Sequence, residues 1–179
     1  MDIVSRRYSE ALFELAKEEN KIEILLEQLE LLKKVFQQNP NIYSVLGHPE
    51  VSVKEKQSSI DELFSDIFEE EICNVLKLMI EKDRLSYLDS IVDDFNELYL
   101  RYSNTVRVNV ASAVELANEQ KDELAAKLIN MMGKDVILQY EIDKSLIGGL
   151  LIKLEDKVID TTVKGKLELL KSELLQDAI

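Results

Sequence analysis

The sequence predicts a mostly α-helical fold with a small α+β part: an N-terminal six-helix bundle over residues 1–104, then a small strand-helix-hairpin-helix domain over 105–179. Three observations carry that expectation. Apolar residues recur at spacings of three and four from Val4 to Leu98, the period of a helix with one buried face. At Ser103-Asn104 the period drops to two, with Val106, Val108 and Val110 alternating with Arg107 and Asn109. Glycine and proline number only five and two in 179 residues, and 46% of the chain is hydrophobic, so the helices have few internal breaks and enough apolar side chains to build a core.

The first helix, 3–17, places Val4, Tyr8, Ala11, Leu12 and Leu15 at helical spacing. Phe13 and Ala16 widen its apolar arc to roughly 200°, about twice what one core-facing stripe needs. A second helix, 21–38, carries Ile22, Leu25, Leu26, Leu29, Leu32 and Phe36 on one face and ends before Asn39-Pro40. A short third runs from Ile42 to Leu46 and stops at Gly47-His48-Pro49, a helix-ending turn. Ser52 with Glu55 three residues on is a capping box opening the fourth, whose buried face is expected from Ile60, Leu63, Phe64 and Ile67.

The fifth helix, 69–82, starts with Glu69, Glu70 and Glu71, acids that suit the positive end of a helix dipole. Ile72, Val75, Leu76, Met79 and Ile80 form an apolar face that Cys73 and Leu78 stretch to roughly 220°. Lys82-Asp83-Arg84 ends it, and a sixth helix from Tyr87 to Tyr102 turns Leu88, Ile91, Phe95, Leu98 and Tyr102 inward. Asp93 and Asp94 on that helix point about 100° apart and cannot converge on one substrate atom. The first and fifth helices thus carry more apolar surface than one contact consumes. Side by side, they make a shallow groove of Tyr8, Ala11, Leu15, Val75 and Leu78, suited to an amphipathic helix; the competing expectation is that the rest of the bundle covers both faces.

In the second half, the strand from Val106 to Val110 leads to a helix capped by Asn118 and stopped by Gly133, with Leu124, Leu128 and Met131 inward. Val136, Leu138, Tyr140 and Ile142 alternate as a second strand. Gly148 and Gly149 stand before a third strand, Leu150, Ile152 and Leu154; Glu155, Asp156 and Lys157 make a hairpin; Val158, Ile159 and Asp160 return. Val163, Leu167, Leu170 and Leu174 then fall at helical spacing behind a cap at Thr161 or Thr162.

The formal charge of -13 lies mostly in the first 104 residues and argues against nucleic acid as a partner. No apolar run approaches the roughly 20 residues of a membrane-spanning helix, and Asp2, Arg6, Arg7 and Glu10 interrupt what a signal peptide would keep apolar. The chain is therefore expected to be soluble and cytoplasmic, without direct membrane insertion. One cysteine, Cys73, and one histidine, His48, leave no disulfide, no cysteine metal cluster and no histidine-based site. The diglycine leads into a strand and lacks the G-K-[ST] of a phosphate loop. Gly148, Gly149 and Asp160 are read as a structural turn and cap, and Asp143 as a turn residue. No catalytic residue, metal or cofactor is expected, although a small hydrolase or phosphotransferase built on Asp143, Asp160 and the diglycine is the rival reading.

A diglycine, an apolar strand, a charged turn, V-I-D and then a helix of lysines and leucines resembles the C-terminal signature of the ATP synthase delta-subunit family, which includes the oligomycin sensitivity conferral protein. Lys144 stands where that family often has proline, and Thr161-Thr162 where it often has glycine-serine; neither removes the turn or the cap. RRYSEALFELA, HPEVSVKEK and VLKLMIEKDRLSYLDSIVDDF are similar to the family's N-terminal segments in order and spacing, so the resemblance covers nearly the whole chain. It implies a non-catalytic stator subunit of a proton-translocating F-type ATP synthase. In such a subunit the alpha subunit's N-terminal segment docks between the first and fifth helices of 1–104, and the 105–179 domain meets the b-subunit stalk. It also implies a peripheral place at the cytoplasmic face of a bacterial inner membrane. A general amphipathic-helix-binding adaptor is the alternative.

Overall fold

The computed structural model describes residues 2–48, 50–154 and 157–176, the side chains of 170–176 excepted. The chain divides into two compact units, one running to Tyr99 and the other starting at Leu100.

The first unit is helical: α1 (Ile3–Glu18), α2 (Ile22–Gln38), α3 (Pro40–Leu46), α4 (Val53–Phe64), α5 (Glu70–Glu81) and, after a 3-10 turn at Leu85–Tyr87, α6 (Leu88–Tyr102). Local chemistry sets the helix starts. Asp2 Oδ1 accepts from the Val4 N–H at 3.0 Å, and Ser52 and Glu55 exchange the two bonds of a capping box. The short helix begins two residues earlier than its apolar pattern suggests because Pro40, with its preset φ and no N–H to lose, occupies the first turn. Leu12, Leu25, Leu29, Leu32, Phe36, Leu46, Ile60, Leu76 and Phe95 belong to one continuous core fed by all six of these helices. Phe36 packs edge-on against Tyr43, centroids 4.9 Å apart, and Phe13 does the same against Phe95 at 5.3 Å.

Three expected core positions are exposed. Leu63 and Ile67 face solvent because α4 ends at Phe64 and the chain turns there, so Phe64 and Phe68 supply the buried contacts instead. Tyr102, in the last turn of α6, is exposed as well. On α1 the buried seam is Ser5, Ser9, Leu12, Phe13 and Ala16. Two of these are serines, which an apolar count passes over; Ser5 Oγ donates to Asp94 Oδ2 at 2.7 Å and Ser9 Oγ to the Arg6 carbonyl at 3.0 Å, so neither hydroxyl is buried unpaired. Asp93, one residue away, pairs outward with Lys33 Nζ at 2.6 Å.

The second unit contains β1 (Thr105–Ser112), α7 (Asn118–Met132), β2 (Asp135–Ile142), β3 (Leu150–Lys153), β4 (Val158–Asp160) and α8 (Val163–Gln176). The sheet order is β2-β1-β3-β4. β1 and β2 are parallel, a pairing that needs a crossover, and α7 supplies it. β3 joins β1, and β4 joins β3, antiparallel. The register puts Val106, Val108 and Val110 on one face with Val136, Leu138 and Ile152, and Leu128 of α7 packs there.

Ala117, and not Asn118, is the N-cap of α7; Gln120 Oε1 accepts from the Ala117 N–H at 3.0 Å. Gly133 ends the helix at φ +65°, the left-handed conformation of a C-terminal glycine. Met131 is exposed and Met132 packs in its place. Tyr140 and Ile142 occupy core-face positions of β2 yet stay exposed. The first turns of α7 are polar, and Lys121 Nζ, 5.2 Å from the Tyr140 ring centroid, is the cover there. Thr162 Oγ1 accepts from the Gly165 N–H at 2.9 Å and caps α8, while Thr161 Oγ1 donates to the Leu150 carbonyl. The hairpin residues Glu155 and Asp156, Pro49 of the earlier turn, and the side chains of Leu170 and Leu174 lie outside the described residues.

Candidate functional site

α1 and α5 pack against each other antiparallel. Near the start of α1, Tyr8 is half-buried with the Arg84 guanidinium 6.0 Å from its ring centroid; at the far end, Leu15 and Glu19 meet Glu70, Glu71, Asn74, Val75 and Leu78 around a recess of about 390 Å³. Leu15 keeps 38% of its surface exposed and Leu78 keeps 43%, which is unusual for leucines on two helices in contact. Cys73 is buried, so the surplus of the α5 arc lies on its Val75 and Leu78 side.

Of the five expected groove residues, Leu15, Val75 and Leu78 line this recess. Ala11 and Tyr8 lie outside its lining, one and two turns earlier on the same face of α1, where Ala11 is exposed. An apolar count could not have found the rim. Glu19, Glu70, Glu71 and Asn74 are polar, and only the three-dimensional meeting of one helix end with another helix start brings them together.

Lys21 organises that rim. Its ammonium donates to Glu69 Oε2 and Glu71 Oε1, both at 2.9 Å, and lies 3.1 Å from Glu19 Oε2. Gln28 Oε1 accepts from the N–H of Glu69, the N-cap residue of α5, at 2.8 Å. The Glu71 carboxyl is held down to about 2 by hydrogen bonding with Glu19 and then with Lys21. The Lys21 ammonium, 2.9 Å from Glu71 Oε1 and 3.1 Å from Glu19 Oε2, bridges the two side chains. The second oxygen of Glu71, Oε2, is shut off from solvent with no donor.

The second unit has a recess of its own, about 430 Å³, between α7 and the turn before β3, with Val114, Leu116, Leu124 and Ile147 in its lining. Ile147 sits at φ +64°, a rare conformation for a β-branched residue, and is 72% exposed. Beside it Gly149 adopts φ +83°, and a Cβ there would strike the Thr161 carbonyl oxygen. Both acids of the rival enzymatic reading are spent on the backbone. Asp143 Oδ1 accepts from the Ser145 N–H at 2.9 Å and Asp160 Oδ1 from the Thr162 N–H at 2.8 Å. Hydrogen bonding to the Ser145 and Thr162 side chains first, and to these amides second, lowers each carboxyl below the ordinary aspartate value, the reverse of what a general acid needs. Among the described residues no cluster of three or more His, Cys, Asp or Glu is arranged to hold a metal, and no helix is long and apolar enough to cross a membrane.

Comparison with known proteins bears on what these surfaces serve. The family described as ATP synthase delta (OSCP) subunit matches residues 4–174. The ATP synthase subunit delta of Clostridium botulinum strain Langeland is 35% identical over 175 residues, covering 98% of each chain. Its counterpart in Clostridium perfringens strain ATCC 13124 is also 35% identical over 175 residues, again covering 98% of each. Among solved structures, a chain of the Toxoplasma gondii mitochondrial ATP synthase hexamer superposes with a TM-score of 0.70 at 25% identity, over 97% of this chain and 98% of that one. A chain of the Polytomella F-ATP synthase superposes at 0.53 and 18% identity over 57% of this chain and 90% of its own, a likeness of fold alone. Matched by the family over nearly its whole length, and by relatives above 30% identity over almost all of it, the chain belongs to the ATP synthase delta (OSCP) subunit family.

Proposed function

We propose that this protein is a non-catalytic stator subunit of a proton-translocating F-type ATP synthase, peripheral to the membrane on its cytoplasmic face. The six-helix part, 1–104, grips the N-terminal segment of the alpha subunit, and the 105–179 domain grips the end of the b-subunit stalk, so that the catalytic head does not turn with the rotor. The observation that carries this reading is the exposed apolar surface of Leu15, Val75 and Leu78 between α1 and α5, which continues along α1 through Ala11 and Tyr8. Such a stripe accepts the anchors of an amphipathic helix at three- and four-residue spacing. A joint of this kind needs no chemistry. It needs slow dissociation under torque, and apolar interfaces in two separate units supply it.

Calorimetric titration of the full chain with a synthetic peptide of the alpha subunit's N-terminal segment tests the reading. Leu78→Asp puts a charge into the centre of the contact and should weaken binding at least tenfold, as loss of a central anchor does. Ala11→Asp tests the outer part of the stripe in the same way. Both positions are exposed, so circular dichroism and the unfolding midpoint should hardly change. Binding undiminished in both variants would remove the groove from the proposal.

A further inference from the structure

The recess between α1 and α5 is apolar in its lining but strongly polarised from end to end. At the Leu15 end, the carboxylates of Glu19, Glu69 and Glu71 share the single ammonium of Lys21. Glu70, exposed on the same rim, accepts from Asn74 Nδ2 at 3.5 Å. Glu71 is 11% exposed and leaves Oε2 without a donor. A buried carboxylate oxygen normally has one. At the Tyr8 end the Arg84 guanidinium stands over the ring, and Lys82, paired with Glu81 at 2.8 Å, is close enough to act on Tyr8 electrostatically.

We propose that the occupant of this recess is recognised by charge as well as by apolar contact: a Lys or Arg side chain of the docked helix lies against Glu19 and Glu70, beside Glu71, and fixes which way round the helix sits. The inference rests on the groove reading above and adds to it the chemistry of one end. Apolar anchors at helical spacing fit a groove in either direction with similar area, so direction needs a polar term. An excess of carboxylate at one end and a cation at the other supplies it. A helix entering the wrong way would bring its cation to Arg84 and leave the carboxylate rim bare, and like charges facing each other at an interface are what reject a wrong pose.

The test titrates the full chain with two synthetic peptides: the alpha subunit's N-terminal segment, and the same peptide with every Lys and Arg replaced by Gln. In E19Q/E70Q, which alters only exposed groups, the native peptide should bind roughly fivefold more weakly at low salt, with most of that difference gone at high salt. The glutamine peptide should bind wild type and E19Q/E70Q alike. Equal affinity of wild type for both peptides, or an equal loss of both peptides in E19Q/E70Q, overturns charge recognition. If Leu78→Asp abolishes binding while E19Q/E70Q changes nothing, the groove stands and only the cation is refuted. Undiminished binding to Leu78→Asp overturns the groove and the cation together. A dimer of the chain alone that Leu78→Asp dissolves in sedimentation assigns the recess to a second copy and overturns the proposal likewise.

Discussion

Individual residues here are constrained in ways their type alone does not announce. Gly149 is the clearest: its φ of +83° and the Thr161 carbonyl against it leave no place for a Cβ. Two residues earlier, Ile147 holds a positive φ of +64° despite its branched side chain, at a cost of about 1–3 kcal/mol that the surrounding turn must offset. Gly149→Ala should therefore destabilise the second unit by about 2 kcal/mol or more, measured as a lower urea midpoint. An unchanged midpoint would mean that the turn relaxes freely. Ser5 and Ser9 make the opposite point. They sit in the α1 seam where a hydrophobicity count sees a gap, and they fit because one hydroxyl reaches Asp94 and the other a backbone carbonyl.

At the scale of elements, most helices were legible because period, caps and breakers agree: the Ser52–Glu55 box, Asn39-Pro40 and Gly133 all mark ends that the structure keeps. Which face of each helix meets which neighbour was less legible. Arc width singled out α1 and α5, yet α2 also exposes Ile24 and Leu31, so width alone does not locate a groove. Of the five expected groove residues three line the recess, and its acidic rim escaped notice because its members come from two helices far apart in sequence. The rim also ties the α1–α2 junction to the start of α5 through Lys21. Glu71 has a folded value near 2 against about 4.5 when unfolded, so its stabilisation is complete above about 4.5 and drains away as pH falls toward 2. Urea midpoints taken from pH 6 down to pH 3 should fall in the wild type and fall less steeply in Lys21→Met. Parallel curves would mean that Lys21 contributes nothing to the acid response.

For the molecule as a whole, the change of period at Ser103-Asn104 announced a second structural class, and strands, crossover helix and hairpin follow it in the expected order. The strand order was not legible, because alternation says which face a residue takes and not which strand lies beside it. β1, the first strand in sequence, lies between two that come later, β2 and β3. On the ribosome, β1 must therefore wait until residues past 150 have emerged before both its flanks are paired, whereas α1 to α6 have all emerged by Tyr102. The N-terminal part, complete first, should thus gain protease resistance while β1 still lacks β3. Nascent chains stalled with about 145 residues outside the exit tunnel should yield a resistant helical fragment and a digested remainder, and chains released at full length should resist throughout. Resistance of both parts at the shorter length would mean that β1 and β2 with α7 form a stable unit without β3. A half-made copy is accordingly one that already carries the recess between α1 and α5 but not a finished sheet.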